Sequence, residues 1–228
     1  MKILRNVPIQ SRIFLAGYIA ILSLFAFWRG VFLLFFRHDL SLSHWALYLQ
    51  SFIIGLRLDL VATSYLMIPI LITIYLPYIG WSSSIYRKIH TIYFIFILTF
   101  ISLFCSIDIE WFNEFGNHIN TMLIMYGTGG TEGWELIWEE YNVFFYALSW
   151  MLTVYASFKL FTYLTKKFGG SHPHLLSGSI GFLLSLIISV LCMRGGTQER
   201  PVDWGYAHFS KDNIEACPAI HPHQPHYF

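Results

Sequence analysis

Charge is scarce in this sequence. Only 12% of its 228 residues are Asp, Glu, Lys or Arg, against about 25% in a soluble domain. That deficit excludes an ordinary water-facing surface. The formal net charge is +1, so no global excess of one sign points to nucleic acid or an acidic substrate, and no nucleic-acid partner is expected. Cysteine is scarce too. Cys105 and Cys192 fall in apolar runs and Cys217 lies in the tail. No paired spacing joins them, which excludes a disulfide or zinc framework and leaves small buried hydrophobes and one stray thiol. There is no nucleophile elbow, P-loop, GxGxxG or HExxH. No catalytic residue and no metal ligand is therefore assigned. The apolar run behind Lys2, Arg5 and Arg12 lacks a small-x-small cleavage site and is too long for a signal peptide, so a retained first helix is expected. No internal repeat of the transporter kind is visible.

Apolar and aromatic residues are abundant. Hydrophobic residues make up 56% and aromatics 19%, with 21 Phe and 14 Tyr. Such a composition suits a bilayer, where Phe faces lipid and Trp or Tyr anchor at the interfaces. The apolar runs predict an all-α polytopic membrane protein of about five transmembrane helices, each near the roughly 20 residues that one crossing needs. The spans are predicted over 13–36, 58–78, 89–107, 143–164 and 175–193. The second apolar stretch begins earlier, at Trp45, and is interrupted at Gly55-Leu-Arg-Leu-Asp59. Residues 45–57 read as a lead-in segment at the interface, and Pro69 is expected to kink the crossing that follows. The chain thus divides into a transmembrane domain over 1–193 and a tail over 194–228.

Lys and Arg set the orientation. Lys2, Arg5 and Arg12 fall before the first span, Arg87 and Lys88 between the second and third, and Lys159, Lys166 and Lys167 flank the connection between the fourth and fifth. Residues 108–142 contain no Lys or Arg but carry Asp108, Glu110, Glu114, Glu132, Glu135, Glu139 and Glu140. The positive-inside rule then puts the N-terminus in the cytoplasm and, after five crossings, the C-terminus outside. Segment 108–142 is an outer interfacial segment. In it Trp134, Ile137, Trp138 and Tyr141 recur at helical spacing, with Glu135, Glu139 and Glu140 on another face.

Charges inside apolar runs are the candidate functional residues, because each costs about 2.5–3.5 kcal/mol at the bilayer centre unless it pairs or faces a cavity. Arg57 and Asp59 have two readings. One is a polar site at the outer mouth that touches a lipid headgroup. The other is a structural pair that orients the second span. At i, i+2 they point to different faces of a helix, so direct pairing would need non-helical backbone. Arg29 reads as a snorkelling side chain or one paired with an acid. Glu110, His118 and Asn120 read as a surface for a headgroup or a docking domain, since their spacing fits no metal site. The closing His221, His223 and His226 have two readings, a weak metal site or a short Pro-rich, disordered end, and the second is favoured.

Three stretches resemble a known family. They are Gly55-Leu-Arg-Leu-Asp-Leu60, Asp108-Ile-Glu-Trp-Phe-Asn-Glu-Phe-Gly-Asn-His-Ile-Asn120, and Arg194-Gly-Gly with Arg200-Pro and Ala207-His-Phe-Ser210. In order and placement, over residues 1–213, they resemble the N-terminal membrane domain of lipoteichoic-acid-synthase-like phosphoglycerol and phosphoethanolamine transferases, of the sulfatase and alkaline-phosphatase superfamily. The resemblance implies an extracytoplasmic hydrolase domain after the fifth span. There a Thr nucleophile and a divalent metal (manganese, magnesium, calcium or zinc) would move a phosphoglycerol or phosphoethanolamine group from lipid. Residues 214–228 depart from the family pattern, and the expectation is a chain truncated before that domain. No catalytic residue, metal ligand or cofactor carries over. Arg57, Asp59, Glu110, His118 and Asn120 carry over as motif matches.

The expected function is that of the membrane anchor and lipid-side domain of such a transferase, in a bacterial cytoplasmic (inner) membrane. Its expected partners are membrane lipids and the hydrolase domain. The alternative is a small membrane binding or assembly protein without enzymatic activity. A transporter or channel is disfavoured by the few intramembrane charges. The orientation can be tested with the three native cysteines replaced. A Cys placed at Thr128 is predicted to react with an impermeant thiol reagent in intact cells, and a Cys at Ser83 is not. The reverse labelling pattern would invert the topology.

Overall fold

A computed structural model describes residues 8–36, 45–75, 83–115, 143–168 and 175–194. Five helices cover them, with no strand among the described residues: α1 (Ile9–Phe35), α2 (Trp45–Ile74), α3 (Ser84–Phe115), α4 (Val143–Phe168) and α5 (Leu175–Met193). The reason is the solvent. A bilayer core offers no water to backbone N–H and C=O groups, so a crossing segment must satisfy them within itself. Four helices are long and apolar enough to cross a membrane, over Ile9–Phe35, Phe52–Ile74, Ser84–Asn113 and Phe144–Leu164. The apolar part of α5, Gly178–Met193, is shorter, although its 19 residues still extend about 28 Å at 1.5 Å each. Large apolar side chains are exposed on every helix, among them Phe27, Ile72, Phe96, Phe144 and Ile188. A protein in water rarely shows such bands. The chain is a multi-pass helical membrane protein.

Two boundaries differ from the sequence expectation. α2 runs without interruption from Trp45 through Gly55, Asp59 and Pro69 to Ile74, so the lead-in is helical and continuous with the crossing. α3 continues eight residues past the predicted end of the third span, through Asp108 and Glu110 to Phe115. The interfacial helix read at Trp134–Tyr141, the tail and its histidines lie outside the described residues.

The helices contribute to two compact units. Unit 1 holds 1–24, 56–98 and 154–202, and unit 2 holds 25–55, 99–153 and 203–228. In unit 1 the partners on α1 and α2 run in opposite order. Ser11 shares a 2.7 Å hydrogen bond with Tyr75, just past α2, and Tyr18 donates to Ser64 at 2.8 Å. That order makes the two helices antiparallel. Tyr93 of α3 donates to the Leu66 carbonyl at 2.8 Å, and His90 and Thr73 are 2.8 Å apart. Tyr75 also bonds Ser185 of α5 at 2.8 Å, so one hydroxyl ties three helices. In lipid, apolar burial drives helix association little, and small residues with cross-helix hydrogen bonds take over.

The centre of unit 1 is aromatic. Phe94 is fully buried and stacks on Phe161 of α4, with centroids 4.1 Å apart and planes 12° from parallel. Gly17 of α1 leaves room for the Phe94 ring. A Cβ at Gly17 would come within 2.6 Å of Phe94 Cε1 and 3.1 Å of Met67 Cε. Gly30, by contrast, has nothing within 4 Å of that position. Gly17→Ala should therefore destabilise the detergent-solubilised protein by about 1–3 kcal/mol, the usual cost of overpacking. Gly30→Ala should be neutral or slightly stabilising, since Ala outranks Gly as a helix former by about 1 kcal/mol. Thermal unfolding of both variants checks this, and equal effects would contradict the packing.

Candidate functional site

The polar groups of unit 2 form two sets of contacts, one between α1 and α2 and one between α3 and α4. On α1, Arg29 interrupts an apolar run and is half-buried. Its guanidinium reaches α2, where Nη1 donates to the Phe52 carbonyl at 3.3 Å and the group lies 5.2 Å from the centre of the Phe52 ring. An aromatic face and a carbonyl oxygen both stabilise a cation that has left water. Gly55 makes the approach possible, because a Cβ there would overlap the guanidinium. Only a residue without a side chain lets the plane of an Arg rest on the backbone of the next helix. Neither reading of Arg29 from the sequence included this seat on α2.

On α3, the mixture of acids and aromatics after Ile107 has a helical explanation. Ile109, Trp111 and Phe112 are buried. Phe112 packs edge-on against Phe32 and Phe36 of the α1 end, at centroid distances of 5.0 and 5.2 Å. Glu110 is half-buried and accepts a hydrogen bond from the Tyr146 hydroxyl of α4. Ser102 and Thr153 link the same two helices at 3.3 Å. Glu110 is thus held by a phenol on a neighbouring helix, at a position the sequence assigned to the outer segment.

Arg57 and Asp59 do not form a direct pair through distorted backbone, because the helix continues through both. Two positions on a helix are about 200° apart. Accordingly Arg57 is exposed, whereas Asp59 is 8% exposed. His118 and Asn120 lie outside the described residues. Among the described residues no three His, Cys, Asp or Glu side chains converge. They do not supply the donor set for the divalent metal that the family resemblance implies, and no chemistry is derived through that metal. The signal that could have linked Arg29 to Gly55 was weak in one dimension. It consists of one Arg inside an apolar run and one Gly inside another, 26 positions apart.

Comparison with family models, with curated proteins and with solved structures returned no match.

The unequal burial of Arg57 and Asp59 gives a measurable ordering. Replacing a buried hydrogen-bonding group typically costs about 1–3 kcal/mol when its partners are left unsatisfied. Asp59→Leu is expected to lower the unfolding temperature in detergent clearly more than Arg57→Leu. A larger loss at Arg57 would contradict the placement of the two side chains.

Proposed function

We propose that this chain is the membrane anchor and lipid-side domain of a lipoteichoic-acid-synthase-like transferase. In this reading it holds a phosphoglycerol- or phosphoethanolamine-bearing lipid near the outer membrane surface, where a sulfatase-type domain takes the headgroup. The supporting observation is the Arg29 guanidinium resting on Gly55, the first residue of the Gly55–Leu60 motif. Arg29 lies six residues before the end of α1, about 9 Å along the axis. In the orientation expected from the Lys and Arg pattern, a long side chain at that position can reach toward the outer headgroups. A planar guanidinium matches a phosphate with two parallel donors better than an ammonium does. An ionisable group inside a membrane helix is by default a functional candidate. Glu110, from the second motif, belongs to the same unit. A carboxylate there suits the amine of an ethanolamine headgroup or the hydroxyls of a glycerol headgroup.

This reading separates binding from turnover. Phosphoryl transfer needs a positioned nucleophile and a group that stabilises developing charge. Among the described residues no three His, Cys, Asp or Glu side chains converge to supply them. The 228-residue polypeptide in nanodiscs should therefore be labelled by phosphatidylglycerol or phosphatidylethanolamine that carries a photoreactive headgroup. Labelled peptides should come from α1 and α2 around Arg29 and Gly55, and Arg29→Gln should remove most of the labelling. No glycerol phosphate should be released with manganese, magnesium, calcium or zinc present. Labelling unchanged in Arg29→Gln, or metal-dependent release abolished by a chelator, would refute the proposal.

A further inference from the structure

One face of α4 carries a second set of charges that the transferase reading does not use. Tyr155, Lys159, Tyr163 and Lys167 follow one another at intervals of four and are all exposed. Successive members are about 6 Å apart along the axis and 40° apart around it, which makes a continuous stripe. The inward face of α4 is marked by buried Ser157, Phe161 and Leu164. Tyr155, Lys159 and Tyr163 each lie two positions from Ser157 or Phe161, about 200° around the helix. The stripe therefore faces away from the core of unit 1, toward lipid.

The lysines do not extend toward the C-terminal end of α4. Lys159 Nζ lies 5.4 Å from the centre of the Tyr155 ring. Lys167 Nζ lies 5.1 Å from the Tyr163 ring and donates to the Tyr163 hydroxyl at 2.8 Å. Each ammonium thus folds back one turn toward the N-terminus, in the direction that helical side chains lean. Lys159 also lies inside the candidate span Phe144–Leu164, about 7 Å before its end. A cation on that face must find an anion or leave the span. The aromatic faces offset part of its lost hydration. Among the described residues of this unit the one carboxylate is Asp59, buried in α2.

We propose that the Tyr155–Lys159–Tyr163–Lys167 stripe is a binding site for the phosphate headgroup of an anionic phospholipid. The ammonium groups meet the phosphate and the phenols donate to headgroup oxygens. The acyl chains run toward the N-terminus of α4 over exposed Phe158 and Val154. The site does not depend on the transferase reading. It belongs to unit 1, whereas Arg29 and Glu110 belong to unit 2.

The test is native mass spectrometry of the full chain released from mixed micelles with equal phosphatidylglycerol and phosphatidylcholine. The native sequence should retain phosphatidylglycerol preferentially. K159Q/K167Q should lose that preference by about fivefold per lysine, the factor that corresponds to about 1 kcal/mol for a basic residue at an anionic surface. K88Q/K166Q removes the same charge from the same unit off the stripe and should keep most of the preference. All four lysines are exposed, so helicity by circular dichroism should be unchanged. R29Q should leave the stripe's preference intact, which separates this site from the one in unit 2. Equal retention of the two lipids by the native chain would overturn the proposal. So would equal losses in K159Q/K167Q and K88Q/K166Q, since these would mark a general effect of charge.

Discussion

The stacked pair Phe94–Phe161, seated against Gly17, is the contact on which unit 1 depends. It joins α1, α3 and α4 at one level. In water such a cluster would be driven by apolar burial. In a bilayer the surroundings are as apolar as the rings, so the advantage comes from close contact itself. Dispersion falls off within a fraction of an ångström, which is why the fit at Gly17 matters more than the size of the side chains around it. Gly55 plays the matching part in unit 2. There the group admitted is a charged guanidinium, and the glycine permits a polar contact instead of an aromatic one.

Hydroxyl groups supply the second class of contact. Ser11, Tyr75 and Ser185 form a chain across α1, the end of α2 and α5, and Tyr18 reaches Ser64. Each of these residues is ordinary in an apolar run, and none alone predicts a partner. Ser64 also donates to the Leu60 carbonyl at 2.6 Å and Ser189 to the Ser185 carbonyl at 2.8 Å. Within a span, a Ser or Thr without a partner on another helix can bond the preceding turn. The cross-helix bonds therefore add modest energy, about 0.6 kcal/mol on average in membrane proteins. Their larger effect is on register, because a Tyr hydroxyl finds its Ser at one sliding position only.

The all-helical, multi-pass architecture was legible in the sequence because it follows from length and hydropathy alone. Four of the five predicted crossings match long apolar helices, and the fifth matches the shorter α5. What misled was local composition. Gly55, Arg57 and Asp59 together look like the end of a segment, since Gly and charge are the usual punctuation. The helix continues because Gly55 serves a residue on another helix and Asp59 turns inward. The acids after Ile107 are the start of the outer interfacial segment read from the sequence. The helix continues through them, since Ile109 and Phe112 keep the apolar period going and Tyr146 donates to Glu110. One-dimensional polarity does not show where a helix ends when the deciding partner lies far away in the chain.

The charges sort by unit, and that sorting bears on function more than any single residue. Unit 1 carries Arg12, Arg57, Arg87, Lys88, Lys159, Lys166, Lys167 and Arg194, with Asp59 as its described acid. Unit 2 carries Asp108, Glu110 and Glu114 on α3, with Arg29 as its described base. A basic end is what orientation in a membrane requires, so excess Lys and Arg in unit 1 needs no further cause. The same rule gives no reason for Arg29, which sits in the acidic unit and inside an apolar helix. Nor does it fix Lys159 over a Tyr ring within a span, when the same charge a turn later would orient the chain equally well. Topology accounts for the distribution of charge. The exceptions to it, Arg29 on Gly55 and Lys159 on Tyr155, are the two places where the proposed phosphate-bearing lipids would bind.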